Sequence, residues 1–119
     1  MAQHNELGEK GEKLAQEMLS SKGYEIIDTN WRFDNDEIDI VAMDGGELVI
    51  VEVKTRSTSF FGNPEDAVDY NKEKFLIRAT ESYLEENNLD LETRFDIVAI
   101  VLNNNETIID HIEDAFYPE

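Results

Sequence analysis

The chain has 119 residues, 40% of them hydrophobic, and a formal net charge of −18. That length and apolar fraction suit one domain over residues 1–119 and argue against disorder. There is no Cys, which excludes disulfides, thiolate catalysis and Cys-ligated zinc, and no apolar run nears the ~20 residues that span a bilayer. No basic-then-apolar leader opens the chain, so a cytoplasmic protein with no membrane partner is expected.

The acid is unevenly spread. Residues 54–78 hold five of the ten basic residues and only four of the 28 acidic ones. Exposed charges are screened beyond ~8 Å at physiological salt, so this strip can meet a phosphate while the acidic remainder favours solubility and weakens non-specific binding.

In chain order, an apolar stripe of Leu7, Leu14, Ala15, Met18 and Leu19 predicts a helix over residues 5–22, ended by Gly23. Tyr24 to Asp28 reads as a first strand, and residues 36–43 and 47–54 as two more. A loop with Phe60, Phe61, Gly62, Asn63 and Pro64 follows. Asp69 caps a second helix over 70–88, with Phe75, Leu76, Ala79, Tyr83 and Leu84 on its inner side. Residues 94–102, nearly all apolar after Asp96, suit a central strand, and 106–112 a last one. The order α-β-β-β-α-β-β predicts an α/β fold with a mixed sheet flanked by helices.

The second and third strands meet at Gly45-Gly46. As a two-residue hairpin loop, with both positions free to take positive φ, this pairs Asp44 with Glu47. Counting outward, Met43 faces Leu48, Val41 faces Ile50, Asp39 faces Glu52 and Glu37 faces Lys54. The other face holds Ile38, Ile40, Ala42, Val49, Val51 and Val53 and is wholly apolar. A one-residue slip would mix charge and apolar residues on both faces. Two carboxylates ~5 Å apart repel by roughly 3 kcal/mol at an effective dielectric of 20. A proton, Lys54 on the same face, or a divalent cation can offset that. Mg²⁺ or Mn²⁺ does so best, because hard cations prefer carboxylate oxygen. The plainer alternative is a solvated outer-face pair.

Ile38-Asp39 and Glu52-Val53-Lys54 resemble the motifs of the PD-(D/E)xK nuclease superfamily. More widely, Asp36-Glu37-Ile38-Asp39-Ile40-Val41-Ala42 and Val51-Glu52-Val53-Lys54-Thr55-Arg56 resemble the bacterial YraN-like (UPF0102) family of predicted endonucleases. Gly8, Gly11-Glu12, Ala15, Asn30, Arg32, Phe61-Gly62, Pro64, Lys72, Arg94-Phe95-Asp96 and Ala115-Phe116 extend the likeness over almost the whole chain. One position departs: Asp36 stands where that family usually has Gly.

The resemblance implies a restriction-endonuclease-like fold akin to archaeal Holliday-junction resolvases. It also implies a Mg²⁺- or Mn²⁺-dependent endonuclease acting on nucleic acid, DNA ahead of RNA and branched DNA among its substrates, and a homodimer. Carried over, Asp39, Glu52 and Glu12 bind the metal and Lys54 acts with them in catalysis. Lys72 becomes a phosphate contact by family position. Arg56 and Lys74 are further nucleic-acid candidates from their charge. Glu37 is either a surface ion-pair partner of Lys54 or a group that orients it. The rival expectation is a non-catalytic nucleic-acid or protein binding module on the same fold, which the net charge of −18 favours.

Overall fold

The protein is described by a computed structural model over residues 6–58 and 68–118. Helix α1 (Glu6–Ser21) buries Gly11, Ala15 and Leu19, four apart along one face. It ends at Gly23, whose φ is +95°, with the Tyr24 N–H bonded to the Leu19 carbonyl and the Gly23 N–H to that of Ser20. This is the double bond of a Schellman ending, which needs a left-handed residue where Gly23 stands.

Strand β1 (Glu25–Phe33) is longer than expected, because the chain turns only at Asp34-Asn35 into β2 (Asp36–Asp44). That turn has no Gly or Pro to announce it; Asp34 takes the left-handed φ of +57° instead. Strand β3 (Glu47–Arg56) is followed in chain order by α2 (Tyr70–Glu86). As expected, the Asp69 carboxylate caps α2, accepting from the Lys72 N–H at 2.9 Å. Strands β4 (Thr93–Leu102) and β5 (Thr107–Phe116) complete the order, β5 continuing past residue 112 so that Phe116 stacks on Phe95 at 4.9 Å.

The strands lie in the order β1-β2-β3-β4-β5. All neighbours are antiparallel except β3 and β4, which are parallel because α2 crosses between them. This mixed sheet with flanking helices has the expected order and is consistent with a restriction-endonuclease-like fold. On the α2 side Val41, Leu48, Ile50, Phe95 and Ile97 pack with Phe75, Leu76, Ala79 and Tyr83. On the α1 side Ile40, Ala42, Val49, Val51, Val98 and Ile100 pack with Ala15 and Leu19. Strands β3 and β4 are thus covered on both faces, which accounts for their nearly continuous apolar runs. Among the described residues no helix is long and apolar enough to cross a membrane.

Candidate functional site

The β2–β3 hairpin has the two-residue loop and register that Gly45-Gly46 predicts, from Asp44↔Glu47 out to Ile40↔Val51. Only Gly45 takes positive φ (+63°), so the turn needs one left-handed glycine and not two. Beyond Ile40↔Val51 the ladder stops, one pair short of Asp39 and Glu52. The cause lies on β1. Asn30 has φ +50°, and β1 pairs Thr29↔Ile40 and Trp31↔Ile38 with Asn30 and Asp39 left between them. Strand β2 changes face there: Ile38 packs with Val41 on the α2 side, not with Ile40 and Ala42 as strict alternation predicts. The seam opens, and the Val53 N–H donates to Asp39 Oδ2 at 2.8 Å instead of to a carbonyl of β2. Asp39 and Glu52 are therefore neighbours at an opening in the sheet, not partners in a regular ladder.

Both acids are pushed up. Burial is the main cause for Asp39, whose pKa lies well above the usual carboxylate range; the Glu52 charge adds to it, the Val53 amide opposes it, and Glu12 raises it further. Glu52, 8% exposed, is raised by burial, against which the Lys72 charge and a hydrogen bond with Asp39 pull down. Glu52 Oε1 is buried and, among the described residues, accepts no hydrogen bond; Lys72 Nζ stands 3.8 Å away.

Among the described residues Lys72 brings the ammonium that pairs with Glu52. It reaches in from the first turn of α2, and its ammonium hydrogen-bonds Asp36 Oδ2 at 2.9 Å. Burial would lower its pKa, but Glu52, Asp36 and Asp39 together hold it above the ordinary lysine value. Lys54 is exposed, and its charge acts on Glu52 less than that of Lys72 does. The sequence order Glu-Val-Lys keeps Lys54 near the site, but packing of a helix twenty residues on brings the nearer ammonium. Lys72, given only a phosphate contact by the resemblance, thus stands closer to the carboxylates than Lys54.

Glu12 comes from α1. Its Oε1 accepts from Asn30 Nδ2 at 3.1 Å, and the same amide nitrogen donates to Glu37 Oε1 at 3.0 Å. The left-handed bend at Asn30 turns that amide outward to bridge the two, so Asn30 is a positioning residue that sequence reasoning noted only as a family landmark. Glu37 also pairs with Arg32 at 3.7 Å. Its partners lie on β1, which corrects the expectation that it faces Lys54: the face change at Asp39 breaks the count outward from the turn. An open cleft of about 420 Å³ is lined by Gly8, Glu9, Glu12, Asn30, Asp36, Glu37 and Asp39. Among the described residues no three His, Cys, Asp or Glu side chains close up tightly enough to cage an ion unaided. What the site offers a hard cation is the Asp39–Glu52 pair, with Glu12 acting on Asp39 from across the cleft.

The remaining basic candidates lie apart. Arg56 ends β3, opposite Val101. Lys74 lies over the Tyr70 ring at 5.1 Å, in a groove with Ile77, Arg78 and Tyr117 on the outer side of α2. Phe60, Phe61, Gly62 and Pro64 lie outside the described residues. Trp31 is partly buried, edge-on to Tyr83 at 5.1 Å, and packs against the α2-side core.

Near the start of β4 a second polar cluster has formed. Asp96, 1% exposed, accepts from Arg94 Nε at 2.9 Å, Arg94 Nη2 at 3.0 Å and the Asp114 N–H at 3.0 Å. His111 Nε2 lies 2.7 Å from Asp96 Oδ2, and Lys22 Nζ lies 2.8 Å from His111 Nδ1. An ammonium can only donate, so Nδ1 accepts and the proton sits on Nε2. Burial would raise the Asp96 acid, but the bonds from His111, Arg94 and the Asp114 amide outweigh it and hold the pKa below the usual value. Asp96 thus ties β4 to β5 through His111 and the Asp114 amide, and the His111 side chain is buried against it.

The model of the family described as "Uncharacterised protein family UPF0102" matches residues 11–100, a span that takes in Glu12, Asn30, Asp36, Asp39, Glu52, Lys54 and Lys72. A UPF0102 protein of Christiangramia forsetii is 52% identical over 117 residues, covering 98% of each chain. A UPF0102 protein of Flavobacterium psychrophilum is likewise 52% identical over 117 residues, covering 98% of each. One from Bacteroides thetaiotaomicron is 49% identical over 118 residues, 99% of this chain and 98% of that one.

Proposed function

The chain belongs to the UPF0102 family, and on that premise we propose that it is a metal-dependent endonuclease of the PD-(D/E)xK kind, hydrolysing phosphodiester bonds in nucleic acid. One observation carries the reading: Glu52 Oε1 is buried without a hydrogen bond among the described residues, beside a carboxyl group whose acid is pushed up. An unsatisfied buried polar atom costs about 1–3 kcal/mol, and more when charged. A divalent cation removes that cost and the repulsion between Asp39 and Glu52 together.

The residues fit such an ion. Mg²⁺ is usually held by one or two carboxylates, with water and phosphate oxygens completing its shell. Asp39 and Glu52 would hold it, and Glu12 would add charge from α1. Bound there, the ion would polarise a phosphoryl oxygen and lower the pKa of a bound water. Cation binding would favour the ionised carboxylates over their raised acids, so cation uptake would strengthen as pH rises. Asn30 fixes Glu12 so that its charge stays aimed at the opening. Lys54 and Lys72 set two ammonium groups near Glu52, where they stabilise negative charge on the phosphate under attack. Arg56 and Lys74 extend positive charge beyond the centre for the nucleic-acid backbone.

A second reading has its own support. Among the described residues the cleft is lined by Glu9, Glu12, Asp36, Glu37 and Asp39 and by no basic residue, so without a cation it repels phosphate. A binding module that holds a cation and a nucleic acid or protein without cutting would look the same. A cleavage panel separates the two. Single-stranded, duplex, flapped and branched DNA and RNA are incubated with Mg²⁺ and with Mn²⁺. The expected result is cleavage that Asp39→Asn and Lys54→Ala each abolish. Binding with a steep salt dependence but no turnover would support the module, and wild type as inert as both variants on every substrate would end the nuclease reading.

A further inference from the structure

Lys72 Nζ stands between two carboxylates and hydrogen-bonds only one. Asp36 Oδ2 is 2.9 Å away and Glu52 Oε1 3.8 Å. The choice runs against simple electrostatics. A buried carboxylate gains more from an ammonium than an exposed one does, because water already solvates the exposed partner. Yet the Asp36 side chain is 51% exposed and that of Glu52 10%, and it is Glu52 whose Oε1 goes without a hydrogen bond among the described residues.

Geometry explains how Asp36 wins. Its carboxylate is fixed at both ends: Oδ1 accepts the Glu37 N–H at 2.8 Å while Oδ2 takes Lys72. Asp36 is the first residue of β2, paired with Phe33 just past the Asp34-Asn35 turn, so the hairpin holds it at the cleft rim above the first turn of α2. Lys72 is further steadied over the Phe75 ring at 5.1 Å. The ammonium is parked at the rim, and the inner carboxylate oxygen stays open.

We propose that Asp36 is a positioning residue that draws Lys72 off Glu52 and so keeps Glu52 Oε1 free to bind a divalent cation. The inference rests on the reading that Asp39 and Glu52 hold such an ion. Without the Asp36 carboxylate, Lys72 closes onto Oε1, satisfies it, and competes with the cation for the same lone pair. Asp36 thus works through Lys72 and touches neither the metal nor the substrate.

The test is a double-mutant cycle read by Mn²⁺ binding, using isothermal titration on the full chain with no substrate present. The proteins are wild type, Asp36→Asn, Lys72→Met, the double variant, and Asp34→Asn as a control. Asp34 is an exposed carboxylate on the same hairpin, 63% exposed at its side chain, so it reports the loss of one surface charge. The expected result is that Asp36→Asn weakens Mn²⁺ about tenfold, the size of a coupling between contacting charges. Asp34→Asn changes it less than about twofold, because exposed charge is screened. Lys72→Met tightens Mn²⁺, and in that background Asp36→Asn costs no more than Asp34→Asn does. If Asp36→Asn weakens Mn²⁺ equally with and without Lys72, its effect is charge alone and the inference falls while the cation site stands. The inference also falls alone if Asp36→Asn leaves Mn²⁺ affinity unchanged. If folded wild type binds no Mn²⁺, the cation site itself is lost and the inference with it. Thermal melts of each variant establish that it is folded.

Discussion

Gly11→Ala tests how α1 delivers Glu12 to the site. A Cβ built at Gly11 would lie 2.7 Å from Thr55 Cβ and 2.8 Å from Thr55 Cγ2, with Thr55 Oγ1 closer still. Rotating the Thr55 side chain moves Oγ1 and Cγ2 but leaves its Cβ in place. Carbon pairs settle at about 3.5–4.0 Å, so α1 or β3 must yield by roughly 0.8 Å. Overpacking of this kind costs about 1–3 kcal/mol, and replacing a helical Gly by Ala returns about 1 kcal/mol. The net expectation is a loss of up to about 2 kcal/mol, or a Tm lowered by up to roughly 8 °C for a domain near this size. Glu12 follows Gly11 directly, so the same shift strains its 3.1 Å bond to Asn30 and weakens Mn²⁺ binding. Thermal unfolding by circular dichroism reads the first effect and Mn²⁺ titration the second. Gly46→Ala is the control, since no atom lies within 4 Å of its Cβ position, and it should change stability by less than about 0.5 kcal/mol. A Tm that rises in Gly11→Ala would refute the close approach, because helix propensity alone predicts that rise.

Saturating Mn²⁺ at about 100 times its Kd should stabilise wild type by about 2.7 kcal/mol, and Asp39→Asn should remove that gain in a thermal shift assay. Without metal, the same Asp39→Asn variant should melt higher than wild type near neutral pH, since it removes a buried like charge while keeping an acceptor for the Val53 amide. The pH dependence has a definite sign. Asp39 and Glu52 have raised native pKa values, so the native state binds more protons than the unfolded one above the ordinary carboxylate pKa. Their contribution to stability is full below that value and lost as pH rises through the native pKa. Asp96 and Asp36, both lowered, act the other way, below the ordinary value. Metal-free wild type should therefore lose Tm from acid towards neutral pH more steeply than Asp39→Asn; parallel profiles would contradict the raised pair. Asp96→Ala should cost about 3 kcal/mol or more, because it leaves Arg94 and His111 without their buried carboxylate, and urea unfolding measures it.

Much of the frame is written locally. The apolar stripes place α1 and α2, Gly23 ends the one and Asp69 caps the other, because helix ends are decided by residues within a turn of them. Gly45-Gly46 sets the hairpin register out to Ile40↔Val51, because a period of two leaves one alignment that buries both apolar faces. The expected neighbourhood of Asp39 and Glu52 follows from that count.

What the count could not reach begins at Asp39. The bend at Asn30 ends the ladder, moves Ile38 to the other face and gives Glu37 to Asn30 and Arg32. It is imposed by a neighbouring strand, and the two-residue period of β2 carries no trace of it. The same holds for the cation. Lys54 is two residues from Glu52, but Lys72 stands nearer because α2 packs over that face of the sheet. His111 meets Asp96 for a like reason, brought across from β5. By itself the sequence determined which elements form, their order and the register of the central hairpin, since each depends on residues a few positions apart. Only the tertiary structure decided which amide takes the Asp39 carboxylate, which lysine stands over Glu52 and which oxygen is left open. Those depend on distances between segments that nothing along the chain constrains until the sheet and both helices have packed.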